Sequence, residues 1–425
     1  YDNGFSMVES GGLDADHIAL TDIGIGLDSI FYCSPELMFK VRDAALKEQS
    51  GLQLTQMHGT LMMDSTTLRL PQLLVRTPYS IIRTQAMVDF NVMDSINPGR
   101  MDIDLDASLG KQDLMIFLAN QPESFRNSWP EWPLTMKAKA KGNKERAEIE
   151  QLTVTLPTAF HAEATGIAAL PPSPVELQVS ADSYDLGFLS SLVPEYGKEF
   201  VLPKGVHVGG FVSNQGSAYS ANLLLRDGEG QAKVVAHLDE RGMSYDAETS
   251  VSKLNLRHFL PKMELGLCSF TATAKGKGTD FFKRQSWLDA DAHIHRLHYG
   301  SYTIDSMQVK ARLNDGHAIV NVKGENKFFG GTVIADALLD TNNLKATIST
   351  DLSSLNLYAL QLVEKPLSIG LCGHVDVNSN MKEQHYVSAL FSDLYIKDSS
   401  TIYRPEDIGL LLRTNRDTTY VRMQR

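Results

Sequence analysis

The sequence has few cysteines and no long apolar run. Its 425 residues include three cysteines, Cys33, Cys268 and Cys372. They are too few for a disulfide scaffold and lack the CxxC spacing of a metal site. The odd number leaves at least one thiol unpaired within this sequence, and we expect free, packed thiols. No apolar stretch approaches the ~18 residues that a membrane-spanning helix needs.

Positive charge is also scarce. The chain has 40 Lys and Arg against 51 Asp and Glu, which gives a net charge of −11 and a pI near 5.6. Binding of nucleic acid requires clustered positive charge that displaces counterions, so this balance disfavours it. The chain also lacks a run of Lys or Arg that would favour an anionic membrane surface.

Common catalytic motifs are missing. The sequence contains no GxSxG, no HExxH and no Walker-type GxxxxGK[ST]. The run Gly24-Ile25-Gly26-Leu27-Asp28-Ser29 lacks the third glycine of a dinucleotide-binding turn and lies in a strand pattern. We therefore expect a non-enzymatic protein without a cofactor.

What the chain does contain is apolar residues at every second position. Met101–Leu109 shows this best, because Met101, Ile103, Leu105, Ala107 and Leu109 alternate with three aspartates and a serine. Successive side chains of a strand point to opposite faces, so this segment has one apolar and one polar side. Such strands build either a sealed sandwich or a long sheet with an exposed apolar surface.

The same pattern recurs along the chain and predicts the fold class. Segments 134–140, 152–156, 175–181, 270–274 and 307–313 all alternate. The run Asn314-Asp315-Gly316 predicts a tight hairpin turn, because Asn and Gly readily adopt positive φ. We predict an all-β protein of roughly 25 to 30 strands in an elongated, antiparallel β-groove of repeated units.

Helical signals are few and short. Pro122–Trp129 predicts about two helical turns that end at Pro130. Segments 184–189, 253–260 and 354–360 each enter an amphipathic turn through an Asp or Asn that lies between apolar residues, a typical N-cap.

Two of these turns precede similar strand openings, Gly266-Leu267-Cys268 and Gly370-Leu371-Cys372. The spacing indicates a degenerate internal repeat of about a hundred residues, although chance similarity among leucine-rich strings is the simpler alternative. We divide the chain into β-groove stretches 1–120, 121–182 (with the short helix) and 183–252, and repeat stretches 253–353 and 354–425. We expect the sequence to be an internal piece of a larger chain.

Polar residues offer two weak metal candidates. On one strand, His293 and His295 share a face with Asp289 and Asp291, and the row Asp102, Asp104 and Asp106 is a candidate calcium ligand set. In both cases we favour a solvated outer face and predict no metal. We expect Trp129, Trp132 and Trp287 to be hydrophobic plugs, that is, side chains that pack at helix–strand junctions. Binding of sugars by stacking on their rings is the less favoured alternative.

The apolar faces are the strongest candidate site. In an open sheet these faces would bind the hydrocarbon chains of a lipid. Each methylene that leaves water contributes ~0.8 kcal/mol to the free energy of binding, so the ~30 methylenes of a phospholipid contribute ~25 kcal/mol. A sealed core would use the same side chains, and the sequence does not separate the two. The predicted lining residues are Ile103, Leu105, Leu109, Leu152, Val154, Leu156, Val309, Ala311 and Leu313.

Several segments resemble the Bacteroidetes-type TamB proteins of the AsmA-like superfamily. They are 20–32, 46–54, 63–71, Thr77-Pro78-Tyr79-Ser80 and Ala107–Leu114, together with the Leu-Asn-Leu turns. The resemblance implies a periplasmic "β-taco" anchored in the inner membrane by a segment outside this sequence. It also implies phospholipid transport toward the outer membrane, a TamA-like outer-membrane barrel as a possible partner, and no catalytic residues.

The expected function is therefore bridge-like phospholipid transport between the inner and outer membranes. The alternative is a periplasmic scaffold whose strand edges pair with client strands during assembly of outer-membrane β-barrel proteins. A weaker alternative is a glycan-active enzyme, which would need paired carboxylates across a cleft.

Overall fold

The chain folds almost entirely into β-strands. The computed structural model describes residues 18–170, 173–193, 195–340, 343–416 and 418–424. Strands account for 65% of the chain and helices for 5%, which confirms the all-β prediction. The 26 strands found among the described residues form an open antiparallel sheet that does not close into a barrel.

Two units divide the chain, Tyr1–Gly216 and Ser217–Arg425. In the first unit the strands pair in chain order, with β3 and β4 both beside β2. The strands of this unit are β1 Leu20–Cys33, β2 Glu36–Glu48, β3 Gln53–Leu54, β4 Gln56–Met63, β5 Thr67–Arg76, β6 Ile81–Asp89, β7 Met101–Leu109, β8 Leu134–Gly142, β9 Ala147–Leu156, β10 Phe160–Ala168, β11 Val175–Ser183 and β12 Val206–Gln215.

The second unit is likewise a meander, with β24 and β25 both beside β23. Its strands are β13 Ala218–Asp227, β14 Gly230–Asp239, β15 Ser244–Asn255, β16 Leu265–Lys277, β17 Trp287–Tyr299, β18 Tyr302–Asn314, β19 His317–Glu325, β20 Phe329–Leu339, β21 Leu344–Asn356, β22 Ser368–Ser379, β23 His385–Lys397, β24 Ile402–Tyr403, β25 Ile408–Asn415 and β26 Thr418–Gln424. The division of the chain into five stretches is finer than these two units and stays a prediction.

Short helical segments lie in the connections. Helix α1 spans Lys111–Phe117 and α2 spans Glu123–Ser128, and 3₁₀ turns span Gly187–Ser191 and Leu256–His258. Helix α2 lies where Pro122–Trp129 predicts it, whereas α1 was not predicted. Among the described residues, no helix has the length and hydropathy to cross a bilayer.

The predicted capping residues hold the turns that follow them. The Asp185 carboxylate accepts a hydrogen bond from the Gly187 backbone N–H at 2.9 Å, and the Asn356 side chain accepts one from the Ala359 N–H at 2.9 Å. Asn255 accepts from Arg257 at 3.3 Å. Each side chain satisfies a backbone donor at the start of a turn. The segment after Asn356 is a turn rather than a helix.

A line of β-bulges bends the second unit near one end of its strands. Register shifts fall between Val251 and Leu254, between Ser269 and Phe270, between Gly330 and Gly331, and between Leu352 and Leu355. These positions lie at one level, since Val251 is opposite Phe270 and Gly331 is opposite Leu352. Bulges bend strands and increase their twist, so the sheet bends along this level. We call the strand ends beyond it the bulged end and the opposite ends the straight end.

Residues on both sides of the bulge line pack together. Leu254 and Cys268, beyond the bulges, form a buried cluster with Val251, which lies before them. Leu225, Ala232 and Phe270 pack against the same cluster. Side chains from both sides of the bulges thus form one buried cluster on the apolar face at this end.

In the first unit the helices pack against the ends of the strands. Phe125 of α2 and Phe188 of the 3₁₀ turn form a buried cluster with Leu156 and Ala159. Trp129 lies edge-on to Phe188, with ring centroids 5.1 Å apart, as the hydrophobic-plug prediction requires. Trp132 and Trp287, in contrast, are exposed.

Two segments that carry the TamB resemblance serve to hold α1. Asp113, which is buried, accepts hydrogen bonds from the hydroxyls of Thr77 and Ser80 in the β5–β6 connection. The Ser80 hydroxyl also accepts from the Gly110 backbone N–H at 3.0 Å. These contacts satisfy a buried carboxylate, so the motif has a structural role.

Candidate functional site

Cross-strand registers align the apolar side chains of the first unit into rows. A row holds one residue from each of strands β5 to β12, directly opposite its neighbours. The residues of this row are Val75, Ile82, Ala107, Met136, Val154, Ala162, Ala181 and Val208. A parallel row two residues along the strands holds Leu105, Ala138, Leu152, Ala164 and Val179, and a further row holds Ile103, Ala140, Ile149 and Leu177.

The second unit repeats this arrangement over more strands. One row takes a residue from each of β13 to β23, β25 and β26, and all of its members are apolar. They are Ala221, Ala236, Ala247, Ala274, Ala290, Ala311, Val320, Ala335, Ile348, Val375, Ala389, Leu410 and Met423. The next row toward the bulged end contains Ala272, Ala292, Val309, Val322 and Val333. None of the residues in these rows of either unit is charged.

The predicted lining residues lie on this apolar face. Ile103, Leu105, Leu109, Leu152, Val154, Val309 and Ala311 are each partly exposed. Leu156 and Leu313 differ, since they are 0% and 5% exposed. Leu156 is covered by the Phe125 and Phe188 cluster. Seven of the nine predicted positions therefore keep some contact with solvent, whereas these two belong to sealed parts of the face.

The total surface agrees with an uncovered face. A compact protein of 47.0 kDa would expose about 16,000 Å² as one body, or about 20,000 Å² as two bodies of half that mass. This chain exposes 26,571 Å². Strands that present one of their sides to solvent, instead of packing it against another layer, contribute to this excess.

The opposite face carries paired charges. In the first unit, Asp102, Asp104 and Asp106 of β7 lie directly opposite Lys141, Lys139 and Lys137 of β8. Glu150 of β9 continues the ladder, with its carboxylate 2.6 Å from Lys141 and 3.1 Å from Lys139. The Lys141 hydrogen bond lowers the pKa of the Glu150 carboxyl. Each aspartate of the candidate calcium row thus has a cation as its neighbour.

The histidine candidate lies on the same charged face in the second unit. Asp291 pairs with Lys310 at 3.4 Å and Asp289 with Arg312 at 3.6 Å. His293 lies 2.9 Å from the Gln308 amide nitrogen, and both His293 and His295 border a shallow hollow of about 240 Å³. Within the described ranges, no group of three or more His, Cys, Asp or Glu side chains is arranged to hold a metal ion.

The fold and this site define a class of protein, an open antiparallel β-sheet with an uncharged apolar face and a charged outer face. Comparison with known proteins adds no family, because no family model, curated protein or solved structure matches the chain.

Proposed function

We propose that the apolar face binds the hydrocarbon chains of lipids and carries phospholipid between the inner and outer membranes without catalysis. The observation that supports this is the uncharged, partly exposed set of rows that continues from strand to strand. Rows of this kind cross β13 to β26, and at ~4.8 Å per strand they provide roughly 60 Å of apolar surface. Monomeric proteins rarely leave so large an apolar area without a ligand or partner.

The energetic argument is the cost of exposing acyl chains to water. At ~0.8 kcal/mol per methylene, a two-chain lipid gains ~25 kcal/mol when both chains are buried. A surface that offers the same environment on each successive strand lets the lipid move without returning to water. We place this activity in the periplasm, and the resemblance to TamB proteins supports the same setting, with an inner-membrane anchor and a TamA-like partner.

Charges placed on the face test the proposal. Val154→Asp and Val309→Asp each put a carboxylate on an apolar row, where an acyl chain would desolvate it. We expect each variant to lose most of the phospholipid that copurifies with the wild type, as measured by native mass spectrometry. We also expect transfer of a fluorescent phospholipid between donor and acceptor liposomes to fall at least tenfold.

The matched controls carry the same charge on the outer face. Thr153→Asp lies next to Val154 and opposite Lys137, and Asn321→Asp lies opposite Lys310. Both should bind and transfer lipid as the wild type does, and circular dichroism should show that all four variants fold. Unchanged transfer in the folded Val154→Asp and Val309→Asp variants would refute lipid conduction.

One feature favours the scaffold function as a second candidate. Strand β1 has 14 residues, pairs only with β2 among the described strands, and is exposed along nearly its whole length. A free strand edge offers backbone groups to an incoming strand. Scaffolding would tolerate both aspartate variants and would instead fail when proline interrupts β1.

A further inference from the structure

The connection between β6 and β7 presents apolar side chains to solvent. It spans residues 90–100, and Phe90, Met93 and Ile96 within it are each more than half exposed. Ile96 is 95% exposed, the highest value among the large apolar side chains that the structure describes. A single exposed apolar residue is ordinary on a protein surface, but three in one short loop indicate a binding surface.

The loop is held in one conformation by its own hydrogen bonds. The Asp94 carboxylate accepts from the backbone N–H groups of Ile96 and Asn97, at 2.7 and 2.9 Å. The Asn91 side-chain amide donates to the Asn97 carbonyl at 2.9 Å, and the Gly99 N–H donates to the Asn91 carbonyl at 3.0 Å. These bonds fix the backbone on both sides of Ile96. A surface that is already ordered loses little conformational entropy when it binds.

Neighbouring connections of the first unit support this loop. The Lys144 ammonium group, in the β8–β9 connection, donates to the Met93 carbonyl at 3.1 Å. The N–H of Leu170, a half-exposed residue that follows β10, donates to the Lys144 carbonyl at 2.7 Å. The Phe90 N–H donates to the Thr66 carbonyl at 2.8 Å in the β4–β5 connection. We call residues 64–66, 90–100, 143–146 and 169–170 the loop cluster.

The loop cluster adjoins the apolar face of the sheet. The last row of that face at this end holds Met63, Leu68, Val88 and Met101, each directly opposite the next. Met63 is the last residue of β4 and Met101 the first of β7, so the row borders the connections 64–66 and 90–100. An apolar phase that contacts the loop cluster therefore lies next to the apolar face.

We propose that the loop cluster docks on the surface of a lipid bilayer, into which Phe90, Met93 and Ile96 insert. A bilayer fits these observations better than a protein partner does, because it is fluid and needs no complementary pocket for side chains that project from loops. Docking goes beyond the proposed function, since it requires no transfer of lipid. It would also bring the apolar face to a membrane from which lipid can enter.

Two cations of the loop cluster support the same partner. Arg100 and Arg146 are exposed, and among the described residues neither forms an ion pair. A guanidinium group can donate two parallel hydrogen bonds to a lipid phosphate while the apolar side chains beside it enter the bilayer.

Flotation with phosphatidylcholine vesicles tests this proposal. These vesicles are zwitterionic and the chain has a net charge of −11, so long-range attraction does not assist binding. We expect Ile96→Asp to weaken vesicle binding about tenfold, because the carboxylate would lose its hydration in the bilayer. Phe117→Asp is the matched control. It puts the same charge on an exposed apolar residue of α1, beyond the opposite end of β7, and should float as the wild type does.

An environment-sensitive fluorophore measures insertion at the residue itself. It is attached through Ile96→Cys, or through Phe117→Cys as the control, in a chain in which Cys33→Ser and Cys372→Ser remove the thiols that are not buried. We expect vesicles to shift the emission of the label at position 96 to the blue and to leave the label at position 117 unchanged. Circular dichroism should show that every variant folds.

The outcomes separate docking from lipid conduction. Val154→Asp should still float with vesicles even though it no longer transfers lipid, because flotation depends on the loops. If folded Ile96→Asp floats as well as the wild type, or if Phe117→Asp weakens flotation equally, docking by the loop cluster is refuted and the lipid face stands. A wild-type chain that does not float would also refute bilayer docking and would leave the loop cluster to a protein partner. Flotation that depends on Ile96 without any transfer of lipid would support docking and refute conduction.

Discussion

Cys268 shows how burial changes the chemistry of a single residue. Its side chain is 0% exposed, between Val251 and Leu254, and burial raises the pKa of the thiol to about 11. At pH 8 only about one thiol in a thousand would be ionised, and the thiolate is the reactive form. Cys33, in contrast, lies exposed on β1.

We therefore predict that iodoacetamide at pH 8 modifies Cys33 of the folded protein while Cys268 stays unmodified. Mass spectrometry of peptides after a timed reaction measures this, and unfolding in guanidinium should bring both cysteines to similar rates. Equal rates in the folded protein would contradict the buried position of Cys268.

The same pKa predicts how stability responds to alkaline pH. The unfolded chain loses the Cys268 proton near the ordinary thiol value of 9.0, whereas the folded chain keeps it up to about 11. The stabilisation is therefore fully present below pH 9 and is lost as the pH rises toward 11. Denaturant titrations at pH 8 and pH 10.5 should show a smaller decline in Cys268→Ala than in the wild type.

At the scale of elements, helix α2 stabilises the first unit through Phe125. The Phe125 ring is 4% exposed and lies 5.5 Å from the Trp129 ring and 6.0 Å from the Phe188 ring, between centroids. We expect Phe125→Ala to lower the free energy of unfolding by about 3 to 4 kcal/mol, because it removes a buried aromatic side chain and leaves a cavity.

Chemical denaturation, followed by tryptophan fluorescence, measures this change. Phe117→Ala is the matched control, since Phe117 belongs to α1 and is 59% exposed, and it should change the free energy by no more than about 0.5 kcal/mol. A small effect of Phe125→Ala would mean that the helix does not stabilise the sheet.

How far the sequence predicts these elements depends on the length of each pattern. In Met101–Leu109 the alternation is unbroken, and the strand and its two faces follow directly. The bulge between Val251 and Leu254 does not follow, because Lys253 adopts a left-handed φ of 49°, which non-glycine residues rarely do. Helix α1 is only 7 residues long and offers too few turns for a periodic signal.

The candidate site is predictable in part for the same reason. Period-two alternation identifies Val154 and Val309 as face residues, and the structure places them on the apolar rows. The alternation does not show that Leu156 is covered, because the covering residues Phe125 and Phe188 lie far from Leu156 in the sequence.

At the scale of the whole molecule, the large exposed surface has a thermodynamic consequence. The heat-capacity change of unfolding reports the apolar area that becomes exposed, and compact proteins give about 12–15 cal/mol/K per residue. Much of the apolar face is already in contact with water in the folded, lipid-free chain. We predict a value below about 12 cal/mol/K per residue.

Differential scanning calorimetry of the lipid-free chain, with a compact protein of similar length as reference, measures this quantity. Addition of dihexanoyl phosphatidylglycerol should raise the transition temperature, because the ligand binds the folded state. A heat-capacity change equal to that of the reference protein would show that the apolar face is covered.

The chain-order pairing of the strands also bears on how such a protein changes length. Within each meander, strands that are consecutive in the sequence are neighbours in the sheet. Deletion of a two-stranded hairpin from the middle therefore leaves every later side chain on the same face of the sheet. Loss of a single strand would instead reverse the chain direction of every later strand. We infer that homologues differ in size by even numbers of strands, and that the sheet can assemble progressively along the chain.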